Sequence, residues 1–123
     1  MKTILIVEDT EDYAENIRFL LTQAGYNVVV AADGGEGFET AMRIKPDLIL
    51  MDVMMPVQDG VQTTALLRQQ PSLKEVPVIF LTAVTAGESV RMDVDGQDYP
   101  TISKMTDMSK LLDRIRQYLG KNP

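Results

Sequence analysis

Glu8 and Asp9 stand side by side at the end of the apolar run TILIV, and a third carboxylate, Asp52, ends a second run, LILM. Thr82 closes an apolar run that begins near Val76, and Lys104 follows the segment YPTIS. A charge at the edge of a core is costly unless it is paired or solvated, so Asp52 is either a capping residue or a reactive one. The chain contains neither histidine nor cysteine. Imidazole bases, thiol nucleophiles, His or Cys metal sites and phosphohistidine chemistry on this chain are thereby excluded. Carboxylates, hydroxyls and lysines must do any chemistry.

Three carboxylates brought together repel, and the cost is relieved by protonating one or by binding a hard cation. Oxygen donors of this kind suit Mg²⁺, which takes a few carboxylates and keeps some of its waters. Beside such an ion, Asp52 becomes a carboxylate nucleophile toward phosphorus, giving an aspartyl phosphate, with the metal neutralising the transferring group. The remaining phosphoryl oxygens need donors, which Lys104 offers as a compact cation and Thr82 as a hydroxyl.

The elements that must position these groups follow from periodicity. Thr3 to Val7 is short, apolar and β-branched, as suits a strand covered on both faces. Ala14, Ile17, Leu20, Leu21 and Ala24 recur at helical spacing over about Thr10 to Ala24, with Gly25 as a stop. Asn27 to Ala31 is a second strand, and a second helix carrying Phe38, Ala41 and Met42 closes at Lys45-Pro46. Asp47 to Met51 is a third strand, and Val61, Thr64 and Leu67 mark a helix from about Gln58 to Gln70. Val76 to Leu81 and Tyr99 to Ser103 are the fourth and fifth strands, and Met108, Leu111, Leu112, Ile115 and Leu119 define a final helix. Between them, Thr85 to Asp98 is the least regular stretch, with only Val90 and Val94 to support a fourth helix.

Strands alternating with helices predict an α/β fold: a doubly wound parallel sheet with right-handed crossovers and helices on both faces. Ligands of such sheets gather outside the carboxyl ends of the strands. That rule brings Glu8, Asp9, Asp52, Thr82 and Lys104 to one end.

With 123 residues, the chain is expected to form a single domain over residues 1–123. Its net charge of −6 argues against a nucleic-acid surface. No signal peptide or apolar stretch of membrane-spanning length is seen, and a cytoplasmic location without membrane attachment is expected. The Asp-rich MDVDGQDY invites a calcium-loop reading, but its first ligand position falls on Arg91 and its terminal Glu is missing, so a solvated loop is expected.

Taken jointly, LIVED at the start, MDVMMPVQDG around Asp52, FLTA at Thr82 and ISK ending in Lys104 resemble the receiver domain of two-component response regulators over essentially the whole chain. The resemblance is to the single-domain chemotaxis type. It implies a flavodoxin-like, five-stranded sheet in the order 2-1-3-4-5. It makes Asp52 the phosphoacceptor, Glu8, Asp9, Asp52 and the Met54 main-chain carbonyl the ligands of Mg²⁺, Thr82 the switch hydroxyl and Lys104 the phosphate-contacting cation. The donor would be a phosphohistidine on a sensor histidine kinase or phosphotransfer protein. The signal would leave through an output partner, from a monomer or weak dimer that is not itself an enzyme.

Four positions depart from the family pattern. Met105 stands where proline usually follows the lysine with a cis bond, so either a trans bond in a rearranged loop or a cis one costing about 3 kcal/mol is expected. Thr101 occupies the place of the switch aromatic, with Tyr99 as a possible substitute. Met54 and Val84 are apolar where the family often orients a hydrolytic water, which predicts slow self-dephosphorylation.

Taken singly, each residue has an ordinary explanation. Glu8-Asp9 would be a helix N-terminal acid pair, Thr82 an N-cap, Lys104 a solvated surface lysine and Asp52 a turn cap. Two further readings remain: a small phosphatase or phosphotransferase built from the same groups, and a degenerate receiver that binds partners without phosphorylation.

Overall fold

A computed structural model describes residues 1–53, 59–83 and 91–120. Chain order is β1 (Thr3–Val7), α1 (Glu11–Gln23), β2 (Asn27–Ala31), α2 (Gly34–Ile44), β3 (Leu48–Asp52), α3 (Gly60–Arg68), β4 (Val78–Thr82), β5 (Arg91–Val94), β6 (Gln97–Ser103) and α4 (Met108–Leu119). The sheet order is β2-β1-β3-β4-β6-β5. Its five parallel strands run as expected for the doubly wound flavodoxin-like fold.

Alternate residues of the central strands feed two cores. Ile4, Ile6, Leu48, Leu50, Ile79 and Leu81 face α1 and α4, while Leu5, Val7, Ile49, Met51, Val78 and Phe80 face the side carrying α2 and α3. All five residues of β3, from Leu48 to Asp52, are buried, as expected of a strand sandwiched between helices. Among the described residues no helix is long and apolar enough to cross a membrane.

The sixth strand is the departure from the sequence reading. Arg91–Val94 pairs antiparallel with β6, matching Met92 with Tyr99 and Asp93 with Asp98. Asp95 and Gly96 join the two strands with φ of 51° and 81°. Two successive positive φ values make the two-residue turn that suits the twist of a hairpin, and Asp-Gly is a preferred sequence for it. The expected solvated loop at MDVDGQDY is therefore a β-hairpin, and the part of the weak fourth helix that ran through Val94 is strand. The rest of that helix, together with Met54 and Val84, lies outside the described residues.

Candidate functional site

The ends of β1 and β3 bring the acids together because the two strands are direct neighbours, with Val7 opposite Met51. One oxygen from each of Glu8, Asp9 and Asp52 lies within 4.8 Å of the others. Glu8 is held by main chain on two sides: its N–H donates to the Ala31 carbonyl (3.0 Å), and its Oε2 accepts from the Thr10 N–H (3.1 Å). Glu8 and Asp52 are buried, whereas Asp9 is exposed.

Asp52 is fixed by the turn that follows it. The Val53 N–H donates to the Leu81 carbonyl and the Gly60 N–H to the Val53 carbonyl, each at 3.1 Å. This seats the N-terminus of α3 on the end of β3, and a Cβ on Gly60 would lie 2.1 Å from the Asp52 carbonyl oxygen. Only glycine permits that approach. Asp59 caps the helix, accepting from the Gln62 N–H at 2.8 Å while Gln62 reaches back in a capping box.

Lys104 arrives from the end of β6. Its Nζ pairs with Glu8 and lies 3.3 Å from an Asp52 oxygen. The described residues contain no cis peptide bond, so of the two expectations for Lys104-Met105 the trans one holds, and the lysine still reaches the acids. Thr82 ends β4 level with Ser103 and one position beyond the register of Asp52; its carbonyl accepts from the Lys104 N–H at 2.7 Å. Glu8, Asp9, Asp52 and Lys104 are thus assembled side chain to side chain, with Thr82 beside them in the sheet.

The electrostatics follow from this crowding. Burial, then the hydrogen bond and charge of Glu8, push the Asp52 carboxyl up to about 7 against the opposing pull of Lys104. For Asp9, exposed but partly desolvated by its neighbours, that desolvation works against ionisation and is outweighed by hydrogen bonding to Glu8 and Asp52 and by the Lys104 charge, which hold it below the ordinary carboxylate range. For Lys104, burial disfavours the cation, yet Glu8 and Asp52 more than compensate and raise it. Three hard oxygen donors, two of them buried and one at the surface, match what Mg²⁺ takes from a protein that also leaves it some waters.

One contributor escaped the sequence reading. Tyr13, half-buried on α1, has its ring centroid 5.2 Å from the Lys104 ammonium, and burial with the charges of Glu8 and Asp52 pushes its hydroxyl up to about 12. It stands in the first turn of α1, directly after the acids that end β1, and that closeness in sequence was the available signal.

The aromatic Tyr99 is not at the acidic site. It is buried against Phe80, with ring centroids 5.6 Å apart at 86°, and its hydroxyl accepts from Arg68 Nε at 2.6 Å. Arg68 also donates to the Leu73 (2.9 Å) and Val76 (2.6 Å) carbonyls. Thr101 is buried in β6 opposite Phe80, its carbonyl accepting from Arg114.

Comparison with known proteins bears on the family and the fold. The family model described as the response regulator receiver domain matches residues 4–116. The chain is 33% identical to the polar-differentiation response regulator DivK of Brucella anthropi, covering 97% of each chain. It is 37% identical to the response regulator ArlR of Staphylococcus aureus, there spanning all of this chain and 55% of the relative. Among solved structures, the chemotaxis protein CheY4 of Vibrio cholerae superposes with a TM-score of 0.83 at 28% identity over 96% of this chain and 98% of that one. The receiver domain of a Pseudomonas aeruginosa sensor histidine kinase, whose structure has a magnesium ion coordinated in its active-site cleft, gives 0.82 at 30% identity over 97% and 98%. The chain belongs to the response regulator receiver domain family.

Proposed function

We propose that the chain accepts a phosphoryl group on Asp52 in a Mg²⁺-dependent step and passes the signal on by changed partner binding. The observation that carries this reading is the meeting of Glu8, Asp9 and Asp52 within 4.8 Å beside the Lys104 ammonium. Glu8, Asp9 and Asp52 would hold the metal ion, which when bound supplies positive charge to the transferring group and favours the ionised form of Asp52. A carboxylate oxygen of Asp52 forms the new P–O bond while the P–N bond to the partner's imidazole breaks, the electron pair leaving with the imidazole. Lys104 and the Thr82 hydroxyl then bind phosphoryl oxygens. Having no histidine, the chain receives and does not donate from an imidazole of its own. The partner is a sensor histidine kinase or phosphotransfer protein, and phosphorylation shifts a pre-existing conformational equilibrium toward the form that an output protein prefers.

The test is intact-mass measurement after incubation with a small acyl phosphate and Mg²⁺. One phosphoryl adduct on the wild type, absent from Asp52→Asn and from samples with chelator, is the expected result; an adduct that survives either change refutes the proposal. Decay of the same adduct reads the expected slow self-dephosphorylation, which a half-life of seconds contradicts. The hairpin and Thr101, in the positions where switching parts are expected, favour one second reading, a phosphorylation-independent interaction module. It requires partner binding unchanged by Asp52→Ala.

A further inference from the structure

Lys104 is aimed at the acids without a proline behind it. Two backbone contacts flank it: its own N–H donates to the Thr82 carbonyl (2.7 Å), and the Thr106 N–H donates to the Ser103 carbonyl (3.0 Å), closing a tight turn over Ser103-Lys104-Met105-Thr106. The turn has a third tie. Because residue 105 is methionine it carries an N–H, and that N–H donates to the Ser103 hydroxyl at 3.1 Å. A hydroxyl accepting from the N–H two residues on is a local clamp that fixes the backbone of the residue between them. Here that residue is Lys104. Ser103 is itself immobilised as the last residue of β6, in register with Thr82. Met105, by contrast, is 72% exposed, so packing of its side chain contributes little to holding the turn.

We propose that Ser103 is the positioning residue for Lys104, its hydroxyl bonded to the Met105 main-chain N–H in place of a proline as the device that directs the ammonium onto Glu8 and Asp52. The functional half of this inference rests on the phosphoacceptor reading above; the placement half does not.

Three readouts on the full chain test it. Ser103→Ala should speed hydrogen exchange at the Met105 amide about five-fold, slow phosphorylation by a small acyl phosphate by a similar factor, the worth of one ordinary hydrogen bond, and tighten Mg²⁺ binding by titration, because a loosened ammonium no longer competes for the acids. Ser103→Thr, which keeps the hydroxyl, should restore all three. In a Met105→Pro background, where the N–H is absent, Ser103→Ala should slow phosphorylation no further. A Ser103→Ala protein with unchanged Met105 exchange and Mg²⁺ affinity, or one slowed equally with and without the N–H, overturns the proposal. If the wild type takes no phosphoryl group at all, the proposed function fails, while amide exchange and Mg²⁺ affinity still decide whether Ser103 places the lysine.

Discussion

Replacing Asp52 by asparagine removes a charge from a site where the residue is 3% exposed and Glu8 faces it. Burial and Glu8 move the carboxyl from 3.8 to about 7. At 1.36 kcal/mol for each pH unit, keeping it ionised costs the folded chain up to about 4 kcal/mol relative to the unfolded one. Solvent entry and local relaxation lower the effective cost, and about 2 kcal/mol is the expected value. The sign follows from proton binding: between about pH 4 and pH 7 the folded state holds a proton that the unfolded state has released. Wild-type stability therefore declines as pH rises through that window and levels off above it. The asparagine variant lacks this loss, so its advantage is absent near pH 4 and complete at pH 8. Urea unfolding of both proteins in chelator, at several pH values from 4 to 8, measures the difference directly. Adding Mg²⁺ at pH 8 should raise the wild-type midpoint more than the variant's, because the ion binds the folded carboxylates. Equal stabilities at pH 8 in chelator, or an asparagine variant that is the less stable there, would refute the view that Asp52 is held charged at a cost.

Two further outcomes follow from packing, one beside the site and one away from it. Gly60→Ala puts a Cβ 2.1 Å from the Asp52 carbonyl oxygen, so α3 or the end of β3 must move by about 1 Å; a stability loss of about 3 kcal/mol is expected, and a loss under about 1 kcal/mol in urea unfolding would show that this contact is not tight. Tyr99→Phe deletes a hydroxyl that accepts from Arg68 at 2.6 Å and donates to Gln97 at 3.1 Å; it should cost about 1.5 kcal/mol, and a neutral effect would mean that Arg68 is held by the Leu73 and Val76 carbonyls alone.

Where the sequence reading missed, the cause was local. The segment MDVDGQDY reads as a solvated loop once its calcium-loop positions fail, yet Asp95-Gly96 flanked by Val94 and Tyr99 carries a hairpin signature that its acidic composition hides. The packing of Tyr99, which stands near the place of the family's switch aromatic, is likewise set by the fold and not by its spacing from Lys104. In the fold it faces Phe80 and Arg68, and Arg68 comes from an element 31 residues away, a pairing no local pattern encodes.

What the sequence by itself determined was the order of the five parallel strands and of the four described helices, and the kinds of group at each parallel strand's end. Apolar periodicity marks buried elements, a parallel α/β sheet presents its strand ends on one side, and Glu8, Asp9, Asp52, Thr82 and Lys104 each stand at such an end. What only the tertiary structure decided was whether those groups touch. The separation of the acids depends on β1 and β3 being neighbours in a particular register, and the reach of Lys104 on a turn tied by Ser103, Thr82 and an N–H that methionine has and proline lacks. Charge–charge energies fall off with distance and with water between the groups, so the high pKa of Asp52 and the pairing of Lys104 exist only once burial and register have brought those atoms together.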